Sequence, residues 1–228
     1  MTAAAPARPV HILAEPGIEL EADLRVPAAA PGLVVFAHGS GSSRFSPRNR
    51  VVAGALEAAG FGTLLVDLLT APEAAADNLT GEHRFHVAML GRRVVAAIDW
   101  ARGQPAAPGA IALFGASTGA AAALIAAAER PDAVRAVVSR GGRADLAGSA
   151  LTQVRAPTLL IVGGHDTQVV DLNRRAGAEM RSEVRLEVVP GAGHLFEEPG
   201  ALEAVSRLAV GWCRRYLGAA GTAISGSR

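Results

Sequence analysis

The most informative segment of the 228-residue chain surrounds Ser117, which lies in a Gly-Ala-Ser-Thr-Gly pattern at residues 115–119. An apolar, strand-like run precedes this pattern and an alanine-rich, helix-like run follows it. Glycines two positions to either side permit a sharp strand-to-helix turn that exposes the serine hydroxyl, and the helix points its N-terminal amides at the reacting centre. We interpret Ser117 as a nucleophile. The alternative is an ordinary turn followed by a serine that caps a helix.

A serine nucleophile requires two further groups. Its hydroxyl is weakly reactive at neutral pH, so a base must take its proton and an acid must orient that base. Asp166 follows one apolar run, and His194 follows the next in a glycine-rich loop. Both positions fall where parallel strands end, which is the edge at which α/β proteins bind ligands. We expect His194 to be the general base and Asp166 the acid, with Asp67 as the alternative acid.

Acyl transfer also needs N–H donors that stabilise the negative oxygen of the tetrahedral intermediate. The residue after the nucleophile, Thr118, supplies one donor. The glycine-rich loop at residues 38–43 follows an earlier apolar run and is expected to supply the other. We favour the amide of Ser40, with Gly41 as the alternative. His38 is then expected to brace this loop rather than act as a base.

Five arginines follow strand-like runs at the expected catalytic edge, namely Arg44, Arg48, Arg50, Arg140 and Arg143. A planar guanidinium suits a carboxylate, and a charge-assisted hydrogen bond contributes ~1.5–3 kcal/mol. We therefore expect Arg140 and Arg143 to bind substrate, and esters that carry a free carboxylate to be preferred. The alternative is solvated loop charge.

Three smaller signals are expected to be structural. His83 and His86 are spaced like residues one helical turn apart and could bind a metal, but the sequence offers no third ligand, so we expect neither a metal nor a cofactor. His165 is interpreted as a loop residue rather than a second base. The one cysteine, Cys213, lies in an apolar helical pattern and is expected in the core.

Strand and helix patterns alternate along the chain. An alternating run at 18–26 indicates a half-buried strand, and later apolar runs indicate buried strands at 32–37, 61–66, 110–114, 133–138, 158–162 and 184–189. Helical patterns occupy 50–59, 83–102, 117–129, 169–180 and 201–217. This order predicts a mostly parallel, doubly wound α/β sheet with an antiparallel N-terminal edge and helices on both faces. The irregular stretch 139–151 is too short for a large cap.

Composition restricts the partners. Lysine and arginine (22) nearly balance aspartate and glutamate (21), so we expect no binding to nucleic acid. Apolar runs stay short of the ~20 residues that span a bilayer, and the N-terminus lacks a signal-peptide core, so we expect a cytoplasmic protein without membrane contact. One domain is expected at 10–217, with flexible tails at 1–9 and 218–228. Whether two copies form a homodimer is left open.

Four segments together resemble small bacterial α/β-hydrolases related to the dienelactone hydrolases: 36–43, 115–119, 163–166 and 191–194. The resemblance spans roughly residues 10–217 and implies the α/β-hydrolase fold. Dienelactone hydrolases use a cysteine nucleophile, and Ser117 occupies that place here. The resemblance therefore implies a serine carboxylesterase that cleaves small-molecule esters through an acyl-enzyme. Thioesterase, lactonase, amidase and acyltransferase chemistry share this machinery, and a non-catalytic binding module of the same fold is the alternative from another class.

Overall fold

In the computed structural model, residues 6–104 and 108–218 are described. Within them eight strands form one sheet: β1 (Arg8–Glu15), β2 (Ile18–Arg25), β3 (Leu33–Ala37), β4 (Gly62–Val66), β5 (Ile111–Ala116), β6 (Val134–Arg140), β7 (Thr158–Gly163) and β8 (Val184–Val189). The helices in the same residues are α1 (Pro47–Ala58), α2 (Ala71–Thr80), α3 (Val87–Arg102), α4 (Thr118–Glu129), a 3₁₀ helix (Ala144–Gln153), α5 (Thr167–Glu179) and α6 (Ala201–Leu217).

The sheet has the order β1-β2-β4-β3-β5-β6-β7-β8. β1 pairs antiparallel with β2, and β2 pairs antiparallel with β4, whereas every later neighbour is parallel. The predicted mostly parallel sheet with an antiparallel N-terminal edge is therefore confirmed. Strand β1, which begins at Arg8 before the predicted domain limit, was not predicted from the sequence. Residues 1–5 and 219–228 of the predicted tails lie outside the described residues.

Two apolar cores lie on opposite faces of the sheet. The side chains of β5 alternate between them, so that Leu113 packs on the α3 and α4 side while Phe114 packs on the α1 and α6 side. All six residues of β5 are buried, as expected for a strand covered on both faces. Alanines at 120–123 are fully buried in α4, and their small side chains let this helix lie close to the sheet. The close packing fixes the turn between β5 and α4.

Two further elements differ from the sequence prediction. The stretch predicted to be irregular contains the 3₁₀ helix, although the described residues form no large cap there, as expected. Helix α2, which begins with a capping box formed by Thr70 and Glu73, was not predicted. This helix and the 3₁₀ helix lie in the connections that leave the carboxyl edge of the sheet. None of the helices in 6–104 or 108–218 is long and apolar enough to cross a membrane.

Candidate active site

Ser117 occupies the turn between β5 and α4 in a strained conformation. Its φ is +51° and its ψ is −123°, a combination that residues with a side chain rarely adopt and that costs about 1–3 kcal/mol. Its hydroxyl forms no capping hydrogen bond with the amides of α4, although the residue stands at the N-cap position. A capping serine normally has extended backbone angles and makes that bond. The geometry is therefore that of a nucleophile elbow rather than an ordinary helix cap.

The glycines around Ser117 are required by close backbone contacts. A Cβ at Gly115 would lie 2.4 Å from the Cα of Ala120, and a Cβ at Gly119 would lie 2.3 Å from the carbonyl oxygen of Ala37. A Cβ at Gly39 would lie 2.9 Å from the Cβ of Ser117. The loop that follows β3 therefore packs directly against the serine, and larger residues at these positions would displace the backbone.

Asp166 and His194 are hydrogen-bonded to each other. Asp166 stands between β7 and α5, His194 follows β8, and the distance between Nδ1 of the imidazole and Oδ2 of the carboxylate is 2.6 Å. The two loops are packed together, because a Cβ at Gly163 would lie 2.4 Å from the carbonyl oxygen of Gly193. When Nδ1–H donates to the carboxylate, the neutral ring presents Nε2 as a proton acceptor. This is the arrangement that a general base requires.

Residues 140–141 connect the serine with the histidine. The N–H of Ser117 donates to the carbonyl oxygen of Arg140 at 3.2 Å. A Cβ on the next residue, Gly141, would lie 3.6 Å from Cε1 of His194. The structure thus brings the three predicted catalytic residues to one edge of the sheet.

Asp67, the alternative acid, has another partner. Its carboxylate accepts hydrogen bonds from the backbone N–H and the guanidinium of Arg44. Arg44 also pairs with Glu21 at 2.6 Å. Asp67 therefore holds the loop after β3 in place, whereas Asp166 is the carboxylate bonded to a histidine.

The two residues predicted to supply the oxyanion donors are in side-chain contact. The hydroxyls of Ser40 and Thr118 are 3.0 Å apart. Thr118 is the first residue of α4, so its N–H has no acceptor within the helix. His38 is buried; its Nε2 accepts from the N–H of Leu68 and its Nδ1 lies 2.9 Å from the carbonyl oxygen of Gly39. Burial lowers the pKa of His38, so the ring is neutral and can brace the loop from both nitrogens.

A cavity of about 510 Å³ adjoins these donors. Gly39, Ser40 and Thr118 line one part of it, and the rest is lined by other residues of the loop after β3, by α1, α2 and the start of α3, and by the loops that precede α2 and α3. Asp77 and Arg84 in this lining were not predicted from the sequence. Asp77 in α2 is buried and accepts from Nε of Arg84 at 3.0 Å and from the N–H groups of His83 and Arg84. The capping box at the start of α2 was the sequence signal for the helix that forms this part of the cavity lining.

The negative charge of Asp77 is stabilised by the groups that donate hydrogen bonds to its carboxylate. Burial opposes its charged form, but the backbone N–H groups and the guanidinium of Arg84 outweigh that effect and lower the pKa of Asp77. The carbonyl oxygen of Arg84 also accepts from the hydroxyl of Ser40 at 3.3 Å. The loop before α3 is therefore fastened both to α2 and to the candidate oxyanion loop.

The arginines that were expected to bind substrate differ in their partners. Arg143 donates to both oxygens of Asp145, at 2.9 and 2.8 Å, and this carboxylate raises the pKa of Arg143. Arg140 is buried, and its Nη2 donates to Oδ1 of Asn49 at 3.3 Å. Among the residues described, no carboxylate lies within salt-bridge distance of Arg140. Arg140 and Arg143 thus occupy different electrostatic environments.

The remaining sequence signals are placed as follows. Cys213 is buried in α6, and burial raises the pKa of its thiol to about 12, so it is unsuited to nucleophilic attack. His165 is exposed in the loop before α5. His83 and His86 precede α3, so their interpretation as residues one helical turn apart is wrong. Residues 6–104 and 108–218 contain no group of three or more side chains arranged to hold a metal.

Comparisons with known proteins give the following matches. Residues 81–187 match the family model of the X-Pro dipeptidyl-peptidases (S15 family). Two curated relatives from Mycobacterium tuberculosis strains, provisionally named phosphoribosyl transferases, are 53% identical over 204 residues. That alignment covers 89% of this chain and 45% of each relative, so the chain spans about half the length of these proteins.

Solved structures match over nearly the whole chain. The crystal structure of a dienelactone hydrolase from Anabaena variabilis is 50% identical, with a TM-score of 0.90, and the match covers 94% of this chain and 99% of that one. The esterase domain of a Rhodothermus marinus protein is 21% identical, with a TM-score of 0.74, and the match covers 93% and 100%. The likeness to the Rhodothermus marinus domain concerns the fold alone. The match to the Anabaena variabilis protein, at 50% identity over nearly the whole of both chains, shows that the chain belongs to the dienelactone hydrolase family of α/β-hydrolases.

Proposed function

We propose that this protein is a serine hydrolase that cleaves small carboxylic esters through an acyl-enzyme intermediate. The observation that carries the proposal is the strained elbow at Ser117 beside the hydrogen-bonded pair of Asp166 and His194. Strain of this kind persists where the surrounding structure enforces it, and it is common at active sites. The 50% identical relative is named a dienelactone hydrolase, which supports an ester or lactone as the substrate.

The proposed reaction has two halves. In the first, Oγ of Ser117 attacks the carbonyl carbon while Nε2 of His194 takes the hydroxyl proton, and the amides of Ser40 and Thr118 stabilise the resulting oxyanion. The ester C–O bond then breaks, and His194 returns the proton to the departing alkoxide. In the second half, His194 removes a proton from water, which attacks the acyl carbon; the bond from that carbon to Oγ then breaks, the carboxylic acid leaves, and His194 returns the proton to Oγ of Ser117.

Asp166 supports this reaction without accepting the proton. Its carboxylate, 2.6 Å from Nδ1 of His194, favours the tautomer with a free Nε2 and stabilises the imidazolium that forms. The cavity of about 510 Å³ beside the oxyanion donors is large enough for a small ester. We place one end of the substrate there, with the reacting carbonyl at the rim formed by Ser40 and Thr118, because Ser117 and His194 do not line the cavity.

The name of the mycobacterial relatives suggests a different reaction. This chain covers 45% of their length, and we attribute the transferase name to the part of those proteins that it does not cover. A strained serine beside a histidine and carboxylate pair is suited to acyl transfer rather than to transfer of a ribosyl group. A non-catalytic role of this fold would give no reason to keep Ser117 in a strained conformation.

A substrate panel tests the proposal. Purified protein is assayed on p-nitrophenyl esters, thioesters and lactones of increasing acyl length, together with Ser117→Ala and Ser149→Ala. Ser149 is exposed in the 3₁₀ helix and serves as the matched control. We expect hydrolysis of short esters that Ser117→Ala abolishes and Ser149→Ala retains. Absence of turnover on every substrate, or an active Ser117→Ala, contradicts the proposal.

A further inference from the structure

Arg140 differs from the other buried arginine of the described chain. It lies at the end of β6 and is 8% exposed, and within the described residues neither its Nε nor its Nη1 has a hydrogen-bond partner. Its one side-chain bond is that from Nη2 to Asn49 in α1. Buried N–H donors in proteins are almost always paired, so two unpaired ones on a charged group call for an acceptor from outside the chain.

Other arginines show that an unpaired Nε alone is not distinctive. The Nε atoms of Arg25, Arg44, Arg48 and Arg93 are also buried without a partner in the described residues. Each of these guanidiniums, however, pairs with a carboxylate through another nitrogen: Glu57, Asp67, Glu197 and Glu73, respectively. Arg140 therefore combines burial with a charge that no described carboxylate balances.

A second cation increases the imbalance at Arg140. Burial is the larger cause and the nearby charge of Arg48 the smaller one, and together they lower the pKa of Arg140 to about 10. At neutral pH Arg140 is still protonated, so its charge at the end of β6 is repelled by that of Arg48 at the start of α1, and of the two only Arg48 has a described carboxylate partner, Glu197. An anion between or beside them would relieve both the repulsion and the missing hydrogen bonds.

The location of this cluster is close to the candidate active site. Arg48 lines the 510 Å³ cavity, and its Nη1 lies 3.2 Å from Glu197 in the loop that carries His194. The backbone carbonyl of Arg140 accepts from the N–H of Ser117. The cluster therefore adjoins the cavity through the side chain of Arg48 and adjoins Ser117 through the backbone of Arg140.

We propose that Arg140, Arg48 and Asn49 form a binding site for an oxyanion group, a carboxylate or a phosphate. Arg140 supplies two free N–H donors and a buried charge, and Arg48 connects the site to the cavity. Arg143, whose guanidinium is engaged by Asp145, does not contribute. The site itself is independent of the hydrolase activity, whereas its use by an anionic substrate rests on the proposed function.

A binding measurement tests the site without turnover. Inorganic phosphate is titrated into the protein by calorimetry, with chloride at matched ionic strength as the reference. We expect saturable binding that weakens at least tenfold in Arg140→Met and in Arg48→Gln. Arg130→Gln is the control, because Arg130 forms an exposed pair with Asp99 at the far end of α4. No saturable binding to the wild type, or equal affinity in Arg140→Met, overturns the proposal.

Stability separates a binding role from a structural one. An unbalanced buried charge costs free energy in the ligand-free protein, so Arg140→Met in chloride buffer should unfold at the same or a higher temperature. Arg93→Met is the matched comparison, because Arg93 is buried and pairs with Glu73 at 2.6 Å. Removing it should lower the unfolding temperature by roughly 5 °C or more. An equal loss in Arg140→Met would make Arg140 structural and overturn the proposal.

Kinetics then identify the source of the anion. If the substrate carries it, Arg140→Met lowers kcat/KM for a monoester of a dicarboxylic acid at least tenfold more than it lowers kcat/KM for the neutral methyl analogue. If the anion is free, phosphate changes kcat/KM of the neutral ester in the wild type and not in Arg140→Met. Both results support the site. If no ester is hydrolysed, the proposed function fails while the binding measurement still decides the site.

Discussion

Two pairs of histidine and aspartate lie on either side of Ser117, and they differ in what the aspartate contacts. On one side Asp166 follows β7 and bonds to the ring of His194. On the other side Asp67 follows β4 and bonds to Arg44, while the ring of His38 bonds to backbone groups. The His194 side chain is 39% exposed, whereas His38 is 7% exposed.

The comparison shows that position at the sheet edge does not decide the role of a carboxylate. Asp67 and Asp166 both follow parallel strands, yet one neutralises an arginine and the other orients an imidazole. His38 is held from both nitrogens and supports the backbone of the oxyanion loop. His194 bonds to Asp166 through Nδ1, which leaves Nε2 as the ring nitrogen available to accept a proton. The Asp67 side therefore acts as a scaffold, and the Asp166 side is proposed to react.

The largest expected effect distinguishes the two aspartates by activity. Asp166→Asn should lower kcat by a large factor, up to ~10⁴ in related triads, because the amide favours the wrong tautomer of His194. Asp67→Asn should retain kcat within a few-fold, since its carboxylate contacts no catalytic group. Steady-state kinetics on the best ester of the panel, with circular dichroism to verify folding, provide the measurement. Strong inactivation by Asp67→Asn with little effect of Asp166→Asn would reverse the assignment.

The next effect concerns stability, and here we expect the substitution of Asp67 to be more damaging than that of Asp166. Asp67→Asn removes a partly buried, charge-assisted pair, although Arg44 retains Glu21. We expect the free energy of unfolding to fall by about 1–2 kcal/mol. Asp166→Asn should change it by less, since His194 is well exposed. Urea denaturation of both variants tests this prediction, and an unchanged midpoint in Asp67→Asn would argue against a scaffold role.

The smallest effect is a pH dependence that arises from His38. Its pKa is lowered in the folded protein, mainly by burial, so the unfolded chain binds the proton more tightly. The contribution of neutral His38 to the free energy of unfolding is therefore fully present above the unfolded imidazole pKa of ~6.5. It is lost as the pH falls through the lower pKa of the folded protein. Protonated Nε2 could no longer accept from the N–H of Leu68. Unfolding temperatures between pH 8 and 5 should fall less steeply in His38→Gln than in the wild type, and parallel curves would exclude this contribution.

The sequence predicted the sheet and the candidate catalytic residues because each of them lies in a recognisable local sequence pattern. Ser117 lies in a strand-to-helix glycine pattern, and Asp166 and His194 each follow a strand. No local sequence pattern indicates the partners of Asp67 and Arg140. Arg44 precedes Asp67 by 23 residues, and Arg140 meets Asn49 across 91 residues, so only the folded path of the chain brings them together. The missed helix α2 was predictable in part from its capping box.

The most direct test is to identify the residue that a fluorophosphonate labels. The tryptic peptide at 103–135 contains Ser117 as its one serine, so mass mapping is unambiguous. We predict stoichiometric label on this peptide with loss of hydrolysis, no label in Ser117→Ala, slow labelling in Asp166→Asn and normal labelling in Asp67→Asn. Label on any other serine, or an unlabelled wild type that hydrolyses esters, would contradict Ser117 as the nucleophile.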